Sequence, residues 1–343
     1  MSLADDLRTA LREMRSPWAE APLEPLPDLG LAHAHIRLAG SGVLARIPKQ
    51  SQMGLAAADN LAYQAACFER ASASGHAPRL HGVLPPSGAL PRGALLVEEV
   101  VGRPARLPQD LRAIAQALAA IHSLPLPAPA LRAPLLDPSD PLALLRGEIE
   151  AQAQHFDAAG LAPAARAAID AERRALDQLC ARPGRPPKRL IAFDAHPGNF
   201  IVRADGRAVL VDLEKARYSL PPLDLAHATL YTSTTWDAAS QAVLTIDEVR
   251  AFQRHWQSQC ADAEAWAGWL VPLRAAMWLW SVSWCAKWRV LSAQAARAGG
   301  DGEDWSAQRS EAALVAHVRG RVDDYLSIEG VNRVAGELAA LAA

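Results

Sequence analysis

The stretch Leu190–Ala226, LIAFDAHPGNFIVRADGRAVLVDLEKARYSLPPLDLA, decides how the rest of the chain is read. Alternation in Phe200-Ile201-Val202-Arg203 and again in Ala208-Val209-Leu210-Val211 predicts two short strands, and Asp205-Gly206 between them is a strong hairpin signal. Asp194 lies five residues before Asn199, Asn199 opens the first strand, and Asp212 follows the second. The hairpin therefore gathers three oxygen-bearing side chains at one end. Such a group suits phosphoryl transfer, in which a protein orients a hydroxyl nucleophile, holds magnesium on nucleotide phosphates and neutralises charge. On that reading Asp194 is the catalytic residue that accepts the hydroxyl proton, and Asn199 and Asp212 are the metal ligands. The plain alternative, in which Asp194 and Asn199 only cap a turn, leaves Asp212 and the downstream PPLDLA unexplained.

The spacing D-x-x-x-x-N followed by a further aspartate is that of kinase catalytic loops. AFDAHPGN, with Asp194, His196, Pro197, Gly198 and Asn199 in place, resembles the loop of the aminoglycoside phosphotransferase and choline kinase group. That loop typically reads H-G-D-x-H-x-x-N. Ala192 and Phe193 stand where the group usually has histidine and glycine, which raises the question of what braces the loop. The resemblance runs from about residue 26 to at least 226. It implies an α+β, bilobal, protein-kinase-like fold. A small β-sheet-plus-helix N-lobe would occupy residues 1–102, and a larger, mostly helical C-lobe residues 103–343. It implies ATP or GTP with Mg2+, and as partner a small-molecule acceptor bearing a hydroxyl: an aminoglycoside, choline, ethanolamine, homoserine or a sugar.

The N-terminal third fits that expectation. Residues 4–14 have amphipathic helical spacing, followed by a proline-rich stretch. HIRLA and VLARI read as strands joined by a tight Gly40-Ser41-Gly42 turn. Gly30 would let the first loop approach phosphate through backbone N–H groups. Arg46, in an apolar-apolar-cation pattern before Pro48, is the expected phosphate-binding cation in preference to Lys49. A helix from about Asp59 to Ser74 carries Glu69, expected to pair with Arg46 as the corresponding kinase glutamate does. ALLVEEVV reads as the strand entering a hinge, where backbone groups near Glu98 to Val100 would meet a purine ring.

Beyond the hinge, LRAIAQALAAIHSL is helical, and His122 reads as a hydrogen-bonded packing residue. Two helices, near 142–157 and 162–180, lead to the catalytic stretch. Glu214 reads as an ion-pair partner of Lys215 or an arginine, and Asp224 as a structural cap of the next helix. The hydroxyl-rich run 229–237 is a candidate border of the acceptor site. Trp280, Trp284 and Trp288 recur every four residues, as core or as an aromatic cage for a cationic acceptor. A glycine-rich loop at 299–302 would precede a final helical pair.

Composition excludes several classes. The 343 residues carry a formal net charge of −2, which gives no basic field for nucleic acid. Half the residues are hydrophobic, enough for a large core. Cys67, Cys180, Cys260 and Cys285 are far apart and form no metal-binding spacing, as expected of reduced thiols in a cytoplasmic protein. The N-terminus lacks the apolar run of a signal peptide, and the apolar segment 275–286 is too short to span a bilayer, so no membrane partner is expected. The rival reading is a nucleotide-binding pseudokinase with a regulatory or scaffold role, favoured by Ala192, His33 and the absence of a lysine on the third strand.

Overall fold

The computed structural model describes residues 2–27, 32–294, 306 and 311–343. Gly30 and the loop at 299–302 lie outside them. The first helix, α1 (Leu3–Glu13), begins with a capping box in which Ser2 and Asp5 satisfy each other's backbone N–H groups. Five strands follow: β1 (Leu23–Pro25), β2 (His33–Leu38), β3 (Val43–Pro48) and, after helix α2 (Ala57–Ser72), β4 (Leu80–Leu84) and β5 (Ala94–Glu98). They form one antiparallel sheet in the order β1-β2-β3-β5-β4.

Strand alternation sorts the side chains of this sheet. Val43, Ala45 and Ile47 with Ala94 and Leu96 face a core shared with Leu7, Ala10 and Leu11 of α1. Leu44, Leu95 and Val97 pack on the opposite side, against Leu61, Ala65 and Phe68 of α2. Period two puts Arg46 on that second side, where its guanidinium carbon sits 5.5 Å from the centre of the Phe68 ring.

The chain leaves the sheet at Glu98 and enters a second one at β6 (Arg103–Pro104). After α3 (Leu111–His122), α4 (Pro141–Ala153) and α5 (Pro163–Ala181) come β7 (Arg189–Ile191), β8 (Phe200–Val202), β9 (Ala208–Leu210) and β10 (Arg217–Ser219). β6 pairs with β8 and β8 with β9, while β7 pairs with β10. The expected hairpin is present, with a different turn. Arg203 N donates to Arg207 O, Gly206 N donates to Arg203 O, and Gly206 has φ 84°. That is a three-residue loop closed by a glycine bulge, not a two-residue turn.

The remaining elements are helical: α6 (Pro222–His227), α7 (Tyr231–Thr234), α8 (Ile246–Gln259), α9 (Leu270–Leu291), α10 (Ala312–Tyr325) and α11 (Ile328–Ala342). α9 is the central post, packed against α4, α5, α6, α10 and α11. Among the described residues no helix is long and apolar enough to cross a membrane. The two lobes share a core, since Leu61, Phe68, Leu95 and Val97 cluster with Ile114, Leu118, Phe200 and Leu210. Polar ties join them: Tyr63 Oη donates to Ala216 O at 2.7 Å, and Arg203 pairs with Glu98 at 2.5 Å.

Candidate active site

Asp194, Asn199 and Asp212 come together as their spacing predicts. Asn199 closes a single turn of 3-10 helix, Pro197–Asn199, directly before β8. Val211 N donates to Asn199 O at 2.9 Å, which extends the hairpin ladder by one step and sets Asp212 beside Asn199. Asn199 Nδ2 donates to Asp194 O at 2.9 Å. With its nitrogen so engaged, the amide oxygen is the atom left for a ligand.

Arg46 reaches this group from β3. It donates to Asp212 Oδ1 at 2.8 Å and to Val211 O at 3.1 Å, and lies 3.3 Å from His33 Nδ1. His33 Nε2 in turn lies 2.9 Å from Gln64 Oε1 on α2. Glu69, the expected partner of Arg46, is exposed. The helical phase explains the difference: Phe68 and Gln64, four residues apart, face β3, and Glu69 is turned about 100° further round. Glu98 and Val100 lie where the chain passes between lobes, but the Glu98 side chain is committed to Arg203, and Glu98 N donates to Arg79 O.

Two neighbours of Asp194 are absent from any spacing argument. Lys215 Nζ donates to Asp194 Oδ2 at 2.7 Å, and His227 Nδ1 lies 3.6 Å from Oδ1. Burial raises the Asp194 carboxyl, but Lys215, His196 and His227 outweigh burial and hold it below the ordinary value. Burial likewise raises Asp212, and Arg46, His33 and Lys215 reverse the shift. Lys215 is therefore the partner of Asp194 and not, as its place in the sequence suggested, of Glu214. Glu214 is buried, and burial and Asp212 push its carboxyl up to about 8. His33 Nδ1 lies 3.8 Å from Glu214, yet burial and Arg46 take that imidazole down to about 3. Burial disfavours the charged form of both partners in this contact.

The loop that carries Asp194 is braced by Asp224. Its Oδ2 accepts from Ala192 N and its Oδ1 from Phe193 N, both at 2.7 Å. Asp224 makes no cap for α6, contrary to expectation. His122 Nε2 lies 3.1 Å from the same carboxylate, and Trp256 Nε1 donates to His122 Nδ1 at 3.0 Å. An indole can only donate, so His122 must accept at Nδ1 and donate from Nε2 to Asp224. The packing role expected of His122 is met. This chain of bonds braces the loop without a histidine at 192. Phe193 adopts φ 63°, a left-handed conformation that costs an L-residue about 1–2 kcal/mol. Its ring pays this back through burial, with the Arg217 guanidinium 3.7 Å above it and Trp280 at 5.2 Å.

The tryptophans of α9 all pack in or against one core, as the core alternative expects. Trp280 meets the site, with Lys215 Nζ 5.6 Å from its ring centre and His227 at 6.5 Å. Trp284 packs on Trp236, and Trp288 is core. The hydroxyl-rich run does adjoin the catalytic loop: a Cβ on Gly198 would lie 2.7 Å from Asp237. The side-chain oxygens of Thr232, Ser233, Thr234 and Ser240 are buried without a hydrogen-bond partner.

The donor set fits magnesium. Asn199 Oδ1 and the Asp212 carboxylate are hard oxygens carried at the same end of the hairpin, and this ion takes one or two protein carboxylates with water and phosphate completing its shell. No cluster of three His, Cys, Asp or Glu that could hold a metal occurs among the described residues.

The sequence has no match among the curated proteins compared with it. Among solved structures, a choline/ethanolamine kinase family protein from Mesorhizobium loti superposes with a TM-score of 0.61 at 18% identity, covering 99% of both chains. Aminoglycoside 2'-phosphotransferase-IIIa does so with a TM-score of 0.58 at 16% identity, covering 98% of this chain and 99% of that one. Plasmodium vivax ethanolamine kinase has a TM-score of 0.58 at 12% identity, covering 92% and 83%. At these identities the likeness is one of fold, the bilobal kinase-like architecture. The family model described as "Phosphotransferase enzyme family" matches residues 36–271, well over half of the sequence, with Arg46, Asp194, Asn199 and Asp212 inside the match, and by that match the chain belongs to the phosphotransferase enzyme family.

Proposed function

We propose that this protein transfers the terminal phosphoryl group of ATP or GTP to a hydroxyl of a small molecule, with magnesium. The observation that carries this reading is the convergence of Asp194, Asn199 and Asp212 at one end of the β8–β9 hairpin, under Arg46 from the facing lobe. Solved relatives hold nucleotides: aminoglycoside 2'-phosphotransferase-IIIa was obtained with GDP, and another aminoglycoside phosphotransferase with ADP.

Asp194 would accept a hydrogen bond from the acceptor hydroxyl, orient its oxygen toward the phosphorus and take its proton. A carboxylate held below its ordinary pKa is a weak base, so it takes that proton late. Late removal suits a loose transition state, in which bond formation to the nucleophile lags. Arg46 would contact the phosphates through the guanidinium that now meets Asp212. Asn199 Oδ1 and Asp212 would hold magnesium, which when bound neutralises charge on the phosphates. His227, held neutral down to about 4 by burial, can donate or accept beside the reacting hydroxyl.

One observation favours a second reading. Both carboxylates are already engaged, Asp194 with Lys215 and Asp212 with Arg46, as in a protein that binds nucleotide without turnover. One experiment separates the two. The protein is incubated with γ-labelled ATP, magnesium and a fractionated metabolite extract. Label appearing in a small-molecule fraction, and lost on chelation, supports transfer. Nucleotide binding without transfer to any fraction supports the second reading.

A further inference from the structure

Resting on the phosphotransferase reading, we infer that the acceptor is a neutral, polyhydroxylated molecule, and that Lys215 selects for it by filling the place a cationic acceptor would occupy. Two features draw an organic cation into a site of this kind: an unpaired carboxylate and an open aromatic face. Here both are met from within. The Asp194 carboxylate is bonded to Lys215 Nζ at 2.7 Å, and the same ammonium lies 5.6 Å from the centre of the Trp280 ring. An incoming ammonium would therefore meet a like charge at each of its two attractive contacts. An anionic acceptor gains little either, because Lys215 is already neutralised and Asp194 stands beside it.

Beside these ion pairs, polar ring nitrogens of the site remain unmet. His196 Nδ1, His227 Nδ1 and Trp280 Nε1 are buried and have no hydrogen-bond partner. The three rings form a continuous wall beside Asp194, with His196 and His227 centroids 6.0 Å apart and His227 and Trp280 at 6.5 Å. A buried polar atom without a partner costs free energy until one arrives. Two imidazole nitrogens and one indole N–H match several hydroxyls on one molecule, since a hydroxyl both donates and accepts. The segment 232–240, from α7 into the turn after it, adds the buried unpartnered hydroxyls of Thr232, Ser233, Thr234 and Ser240 near the catalytic loop.

The test uses choline as the cationic probe and myo-inositol as the neutral one, in calorimetry with magnesium and a non-hydrolysable ATP analogue, and in steady-state phosphorylation. The wild-type protein is expected to phosphorylate myo-inositol with a kcat/KM at least about ten-fold above that for choline. Lys215→Met frees the Trp280 face and the Asp194 charge, so its choline affinity should rise about ten-fold, as a desolvated cation–π contact with a neighbouring carboxylate implies. Lys215→Gln keeps a hydrogen bond to Asp194 and carries the same expectation if the methionine variant does not fold. Choline phosphorylated as well as or better than myo-inositol by the wild type would overturn the inference. So would unchanged choline affinity in the folded Lys215 variants. If neither probe is phosphorylated, the phosphotransferase reading is what suffers, and the change in choline affinity still decides the role of Lys215.

Discussion

Phe193 holds a left-handed backbone conformation directly before the presumed base, a place where glycine would be unstrained. Its fully buried ring, between Arg217 and Trp280, is what keeps it there. Phe193→Ala should destabilise the fold by about 3–5 kcal/mol, because it loses the ring and retains the strain. Phe193→Gly should cost about 1 kcal/mol less, since glycine is relieved of the left-handed penalty; denaturant unfolding of the two variants checks the order. At this scale the sequence named Asp194, Asn199 and Asp212, because a short loop and a hairpin leave little freedom in where they go. Lys215 was read only as a possible partner of Glu214, and His227 was not named. Lys215 lies in the turn after Asp212 and His227 at the end of α6, and their approach to Asp194 follows from the packing of α6 on α9 and not from any local spacing.

The elements around the loop act by bracing it. Asp224 at α6, His122 at the end of α3 and Trp256 on α8 form one buried series of hydrogen bonds that ends on the N–H groups of Ala192 and Phe193. Asp224→Ala would leave three buried N–H donors unmet, those of Ala192, Phe193 and His122 Nε2, and each costs about 1–3 kcal/mol. The expected result is a folded-state loss of at least about 3 kcal/mol by chemical denaturation. Trp256→Phe removes only the outermost N–H, so it should lower kcat with little change in the KM for ATP; equal loss in both would mean the whole lobe had loosened. The sequence marked His122 and Asp224 as structural but could not say what they support, because His122 lies 102 residues before Asp224, Ala192 lies 32 before it, and Trp256 lies 134 residues after His122. Glu69 was misassigned for a smaller reason. Two residues on one helix compete for the face toward β3, and phase alone favours Gln64 once Phe68 is packed under Arg46.

Over the whole molecule, charge buried between the lobes ties stability to pH and to ligands. Glu214 is raised in the fold from 4.5 to about 8. A carboxyl with a raised folded pKa binds more protons folded than unfolded across that window, so its contribution to stability is lost as pH rises from about 4.5 to 8. Glu214→Gln should remove that loss and gain at least about 1.4 kcal/mol on the wild type between pH 5 and pH 8, the equivalent of one pKa unit. Asp194 and Asp212 are shifted the other way, so their stabilisation is present above the ordinary carboxylate range and lost as pH falls below it. Magnesium with nucleotide at 100 times its Kd should stabilise the protein by about 2.7 kcal/mol, read as a rise in Tm. In Asp212→Ala the part of that rise that depends on magnesium should vanish.

The bilobal order of sheet and helices was legible in strand alternation, helical periodicity and the catalytic spacing. β4 was not, because Leu80–Leu84 carries His81 and Gly82 and pairs with β5 through an irregular register. The central claim is that Asp194 serves phosphoryl transfer and not merely the packing of Lys215. It is tested most directly by the rate at which label from γ-labelled ATP enters the small-molecule acceptor, compared between the wild type and Asp194→Asn at equal nucleotide saturation. The account predicts unchanged nucleotide Kd and a rate lowered by about 10²- to 10⁴-fold, the usual contribution of a general base. Transfer at the wild-type rate in Asp194→Asn would contradict it.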